Sequence, residues 1–291
     1  MRSVCQPKYF DEAVKQITLI YRHTHDPKTV LCYHGWDETR SRPWANKATG
    51  ASPEFWGRAM GWYVMAMADV MDWLPADHGG RKEVLPIFQS QCQSLLKYQD
   101  RDTGMWYQIV DKPSAPKNYV ETSCSLMFAH AMARGAQRGR LAPEYREHAL
   151  RAARDVLNRQ VDLLAGNRMD IRGMVQVGSL GGDGGFYDYH VSVPVVTNDQ
   201  KSIGAFMHLS MALSEIANPA GAARSRRLKR RRLSRGPLPQ LQIAGTPIRK
   251  KTNHRSTARG GSADGHQPWR VTAMPIAPHC AHQTSCRKNT I

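Results

Sequence analysis

The sequence has no close cysteine pair. Its six cysteines, Cys5, Cys32, Cys92, Cys124, Cys280 and Cys286, show neither a CxxC motif nor metal-ligand spacing. That argues against a zinc ribbon or a dithiol redox centre, and the reading predicts no metal and no cofactor. Cys92 and Cys124 fall in helical patterns and are predicted to be small core residues rather than reactive thiols. Nothing resembles a signal peptide or an 18-residue apolar span. These absences point to a cytoplasmic protein if Met1 is the true start.

Acidic residues are nearly missing from the C-terminal quarter. Residues 219–291 hold 16 of the 41 Lys and Arg but a single acid, Asp264, so most of the net charge of +17 lies there and the body 1–218 is close to neutral. Arg224 to Arg235 reads RSRRLKRRRLSR, followed by Pro, Thr, Ser and Gly without periodicity. Such composition cannot bury enough apolar surface to offset ordering entropy, so 218–291 is predicted to be a disordered basic tail. The tail is the one feature that suggests nucleic acid, which the near-neutral body argues against.

What remains is helical. A stripe of Phe10, Val14, Ile17 and Tyr21 predicts an amphipathic helix over about 7–25. A long loop, 26–52, leads to Ser52-Pro53-Glu54, which reads as an N-cap, a proline at the first helical position and an acid, opening a helix over about 53–73. That helix is apolar on nearly every side and is expected to be buried all round, with Arg58 as the exception. The cycle repeats with outer helices over about 81–99 and 143–165 and inner ones over about 120–135 and 200–216. Long loops over 100–119 and 166–198 precede the two later inner helices, and Asn198-Asp199 are read as helix caps. Amphipathic helix, long loop, buried helix and short turn make a hairpin, and a ring of such hairpins makes a two-layer barrel with the long loops at one end. The prediction is all-α, with about three hairpins over 1–217, about half a ring. Inner helices left uncovered by a partial ring would expose apolar faces and invite self-association.

The stretch 34–62 holds four of the seven tryptophans, interleaved with His34, Asp37 and Arg58. A buried arginine among indoles suggests a pocket for an anionic, ring-shaped ligand, with half of a structural ion pair as the plain alternative for Arg58. Asp37 and Glu38 tempt as glycosidase carboxylates. Adjacent residues rarely enter one cleft, so loop bracing, or pairing with Arg40 or Arg42, is the simpler role for Asp37. Trp106 and Gln108 are candidates for the floor of a distal cleft. The glycines over 178–185 fit a flexible loop around the opening, and GGDGG lacks the strand-turn-helix context of a phosphate cradle.

Five ordered segments resemble the unsaturated rhamnogalacturonyl hydrolases of glycoside hydrolase family 105, relatives of the family 88 unsaturated glucuronyl hydrolases. They are Tyr33-His-Gly-Trp-Asp-Glu38, Ser52-Pro-Glu-Phe-Trp-Gly-Arg-Ala-Met-Gly-Trp62, Gly104-Met-Trp-Tyr-Gln108, Glu121-Thr-Ser-Cys-Ser-Leu-Met-Phe128 and Thr197-Asn-Asp-Gln-Lys-Ser-Ile-Gly-Ala-Phe206. The resemblance covers roughly 1–217. It implies an (α/α)6 barrel of the six-hairpin type. It also implies a substrate, pectin-derived oligosaccharides ending in an unsaturated galacturonyl residue. In such enzymes an aspartic acid protonates the C4=C5 bond, water adds at C5, and the hemiketal opens to release the sugar without a metal. The positions matching His34, Trp56, Arg58 and Trp62 would line the sugar site. The aspartate that donates the proton would lie upstream of Met1, which leaves much of the pocket without the acid. Two readings follow, a hydrolase impaired as a fragment and a non-catalytic uronide-binding remnant.

Overall fold

The structure, a computed structural model, describes residues 7–181 and 184–218. The basic tail lies outside the described residues. By chain contacts the body runs to Leu164 and resumes at Met169, and residues 165–168 belong to a second unit.

Among the described residues there are seven helices: α1 (Pro7–Thr24), α2 (Gly57–Trp73), α3 (Arg81–Leu96), α4 (Thr122–Gln137), α5 (Glu144–Gln160), α6 (Tyr187–Ser192) and α7 (Gln200–Ala217). Six short strands lie outside them: β1 (Trp106–Tyr107), β2 (Val120–Glu121), β3 (Val161–Leu164), β4 (Arg168–Ile171), β5 (Met174–Val175) and β6 (Val195–Val196). β1 pairs antiparallel with β2, and β5 with β6. The alternation of outer helix, long loop and inner helix is as the hydrophobic periods predict. The ribbons were not foreseen, because strands of two residues carry no period.

The inner helices are α2, α4 and α7, and α4 is central. It packs on α2, α7, α5 and α3, and nearly all of its residues from Thr122 to Gly135 are buried. Small residues make the approach of α2 possible. A Cβ on Gly57 would lie 2.8 Å from Cys124 Sγ, and one on Gly61 would lie 2.7 Å from Met127 Sδ. These two glycines, one turn apart, set the α2–α4 spacing. The outer helices bury one side only, as Val14 and Ile17 of α1 and Ala149, Ala152 and Val156 of α5 illustrate. The result is an open arc, about half of an (α/α)6 barrel.

Two expectations about α2 are corrected. The helix begins at Gly57, with Trp56 as an extended N-cap, and not at Ser52-Pro53. The backbone of 52–56 is engaged elsewhere: Ser52 N donates to Gly35 O (2.9 Å), His34 N to Glu54 O (3.2 Å) and Val110 N to Phe55 O (3.1 Å). Ser52 Oγ accepts from Gly35 N at 3.1 Å rather than capping a helix. Nor is α2 buried all round. Trp62, Ala66 and Trp73 form an exposed stripe at helical spacing, with Trp73 71 % exposed. Met207 and Met211 of α7, each 59 % exposed, repeat this on the other flank of α4.

Gly61→Val tests the α2–α4 spacing. Its added atoms would overlap Met127, and the expected cost is about 1–3 kcal/mol, read as a lower urea midpoint with an unchanged slope.

Candidate functional site

The first turns of α2, α4 and α7 converge, and Arg58 stands where they meet. Each helix start presents unsatisfied N–H groups and the positive end of a macrodipole. Adding a guanidinium there requires buried anions, which Glu121 and Asp199 supply. Glu121 caps α4, its carboxylate accepting from Cys124 N at 2.7 Å, Val175 N at 3.0 Å and Ser123 Oγ at 2.6 Å. Arg58 Nε donates to Ser123 Oγ (2.8 Å) and Nη1 to Gln176 O (3.1 Å). Nη2 donates to Val175 O and to Ser202 Oγ (3.2 Å). The guanidinium lies 3.6 Å from Glu121 Oε1 and 3.5 Å from Asp199 Oδ1. With 1 % of Arg58 exposed and every nitrogen engaged, the structure places this side chain inside the protein, as a tie between three helices. The ion-pair alternative describes its surroundings better than the ligand role does.

Beside this tie lies an aromatic cluster. The indole of Trp56 meets the His34 ring edge-on at 4.5 Å and stacks on His190 at 5.3 Å, and the two imidazoles are 5.4 Å apart. Gln108 orders the group: its Oε1 accepts from Trp56 Nε1 (3.1 Å) and its Nε2 donates to His190 O (3.2 Å). Ile109, Val175 and Val193 pack against Trp56, and a Cβ on Gly178 would fall 2.6 Å from the indole. The glycine-rich loop therefore lies on Trp56 with its backbone, and Leu180 O takes the indole N–H of Trp44 at 2.6 Å. Part of the GGDGG run, 182–183, lies outside the described residues.

Three ring nitrogens in the cluster, His34 Nδ1 and both of His190, are buried with no hydrogen-bond partner. Buried polar groups in native proteins are ordinarily paired, so three orphaned nitrogens around one indole single this cluster out as the candidate site. Burial holds His190 down to about 4. Burial first, and His190 second, hold His34 down to about 3. At neutral pH both imidazoles are uncharged, and each offers one donor and one acceptor. A cavity of about 550 Å³ opens beside the cluster rather than over it, with His23, His25, Tyr33, Trp44, Asn46 and Phe186 among its walls.

The other residues singled out in the sequence fall elsewhere. Trp62 is on the exposed stripe of α2, which its six-residue offset from Trp56 dictates. Trp106 is fully buried in the core, its indole donating to Leu95 O at 2.8 Å and its ring edge-on to Phe128 at 5.3 Å. Asp37 is partly exposed and braces its own loop. Its carboxylate accepts from Arg42 N (2.8 Å) and from Thr39 N and Oγ1 (3.1 and 2.8 Å). These bonds, the Arg42 amide foremost, hold it down to about 2. Asp199 ties Arg58 to α7, and Asn198 Oδ1 accepts from Ile171 N at 2.9 Å. Burial pushes the Cys32 thiol up to about 12 and raises those of Cys92 and Cys124 well above the ordinary thiol range, as inert core residues require. His190 was missed by the sequence reading; the only signal was the aromatic run Tyr187-Asp-Tyr-His190 inside a glycine-rich loop.

The profile of Glycosyl Hydrolase Family 88 matches residues 2–217. The chain belongs to that family. The 24.9 kDa protein of the picA locus of Rhizobium radiobacter is 35% identical over 211 residues, 69% of this chain and 89% of that one. The unsaturated rhamnogalacturonyl hydrolase YesR of Bacillus subtilis is 30% identical over 150 residues, 51% of this chain and 39% of that protein. Among solved structures, a family 105 glycoside hydrolase from C. acetobutylicum superposes with a TM-score of 0.69 at 36% identity, over 71% of this chain and 58% of the other. The family 88 chain thus spans a little over half the length of that structure. Among the described residues, no helix is long and apolar enough to cross a membrane.

Removing the central tie strands its anions. Arg58→Met leaves Glu121 buried without its cation and Asp199 with Lys201 alone, at an expected cost of about 3–5 kcal/mol. Adding Glu121→Gln to that variant should recover part of the loss in chemical denaturation. The histidines give a pH signature. Both lie below the ordinary 6.5, so between about 6.5 and about 4 the unfolded chain binds protons that the folded chain refuses. Stability therefore falls as pH falls through that window, by up to about tenfold in the folding constant per pH unit and per histidine. His190→Phe should flatten the slope of midpoint against pH.

Proposed function

We propose that the cluster of His34, Trp56 and His190 receives the terminal unsaturated uronyl ring of a pectin-derived oligosaccharide, and that the reaction served is hydrolysis of that group after hydration of its C4=C5 bond. The observation that carries the reading is the set of three buried, unpartnered imidazole nitrogens around one indole, in a family 88 chain. An indole offers a flat apolar face to a sugar ring. Neutral imidazoles suit hydroxyl and carboxylate oxygens because each can donate without bringing a charge that must be desolvated. Arg58 acts here as a positioning residue, fixing the turn from which Trp56 projects. Trp62 joins the site only if the ligand reaches across the open face of α2.

Protonating C4 requires a carboxylic acid that holds its proton near the working pH. Asp37, held down to about 2 and only partly exposed, has none to give, whereas burial raises Glu54 and Asp111. Without Asp37 as the acid, the second reading is a uronide-binding protein with little turnover, and the two are separated by one experiment. An unsaturated rhamnogalacturonan disaccharide is mixed with the chain, with tryptophan fluorescence reporting binding and loss of the C4=C5 absorbance reporting turnover. Binding that weakens at least about tenfold in His34→Ala and His190→Ala is expected, as loss of a buried hydrogen bond to a polar ligand implies. Turnover at a site without a protonated carboxyl should be about 10²- to 10⁴-fold below that of a family member that has one. Binding with no turnover selects the second reading. Absence of binding, or binding indifferent to both substitutions, overturns both.

A further inference from the structure

Half-way along the inner helices, away from the cluster, a second group of ligating side chains is brought together. Asp69 of α2, His130 of α4 and His208 of α7 each place one ligating atom within 4.8 Å of the other two. Asp69 lies about 16 Å further along α2 than Arg58, at 1.5 Å per residue, so this is a separate place on the same three helices. We propose that Asp69, His130 and His208 bind a divalent transition-metal ion of the zinc class.

The geometry is close to what such an ion needs. Tetrahedral coordination with bonds of about 2.0–2.1 Å puts ligand atoms roughly 3.3 Å apart. His130 Nε2 already stands 3.3 Å from Asp69 Oδ1, and the two imidazoles meet edge to face with centroids 5.4 Å apart. The remaining closure falls on His208, which is exposed and able to turn. Two imidazoles and one carboxylate favour zinc, cobalt or nickel over the all-oxygen ions calcium and magnesium. Access is open through Asp69, 38 % exposed, and His208, which leaves a fourth position for water.

A plain His130–Asp69 hydrogen bond explains the site less well. At 3.3 Å it is long, and it gives His208 no reason to be there. Asp72, one turn further along α2, is not competing for the same role, since Arg134, Arg138 and Arg140 already hold it. A bound ion would tie α2, α4 and α7 together a second time, as Arg58 does at their first turns.

The test uses the full chain, stripped with a chelator and titrated with Zn²⁺ by calorimetry, with Co²⁺ added separately to read tetrahedral coordination from its visible spectrum. Saturable binding is expected, together with a rise in Tm on adding Zn²⁺. Outer-shell partners alone are worth 10- to 100-fold in affinity, so His208→Ala and Asp69→Asn should each weaken binding at least about tenfold and abolish the Tm rise. Met207→Ala, next in sequence to His208 and outside the ligand set, should change neither. His208→Ala alters an exposed residue, so its fold is not at issue even if Asp69→Asn weakens packing. No Zn²⁺ binding, or binding equal in the wild type and in His208→Ala, overturns the proposal; the second outcome would send the ion to other histidines or cysteines of the chain.

Discussion

One buried cation organises this molecule. Arg58 sits among the first turns of three helices whose dipoles all point positive ends toward it, and the arrangement stands only because Glu121 and Asp199 share the space. Glu121 does three things at once: it caps α4, fixes the β5 backbone through Val175 N, and faces the guanidinium. A buried ion pair is poor evidence of net stability, since desolvation offsets much of the attraction. Its value here is directional. The hydrogen bonds of a planar guanidinium to Ser123, Ser202 and two backbone carbonyls admit one relative placement of the inner helices, and hence one position for Trp56.

That placement links sequence to site in a few steps. Glycines at 57 and 61 let α2 press on α4. Pressing on α4 brings Arg58 within reach of Ser123 and Glu121. The same turn carries Trp56, two residues earlier, into contact with His34 from the preceding loop and His190 from α6. A change in α2–α4 spacing would therefore move both the tie and the indole.

Much of this was legible in the sequence, and the limits have physical causes. The order and inner or outer character of the six long helices follow from hydrophobic period, which reports burial directly; the six-residue α6 lay inside the predicted loop 166–198. The start of α2 was misplaced because Ser52-Pro53-Glu54 carries the local chemistry of a helix start, while the backbone pairing of 52–56 with residues 34–35 and 110 is long-range. Arg58 was singled out correctly as buried and charged, but a lone arginine does not disclose whether its partner is a ligand or the protein. Trp106 shares residue type with Trp56 and not environment. His190 and the Asp69–His130–His208 group are assembled by tertiary packing from separate elements, and cysteine spacing, the usual sequence signal for metal, is silent about a histidine-based set.

The role proposed for the His34–Trp56–His190 cluster is to meet a uronyl ring. The most direct measurement is nitrogen NMR of histidine-labelled protein during titration with an unsaturated uronyl disaccharide. Saturable shifts of the His34 and His190 ring nitrogens with a common midpoint are expected, while His130 and His208 stay in place. Shifts confined to other histidines, or none at saturating sugar, would contradict it.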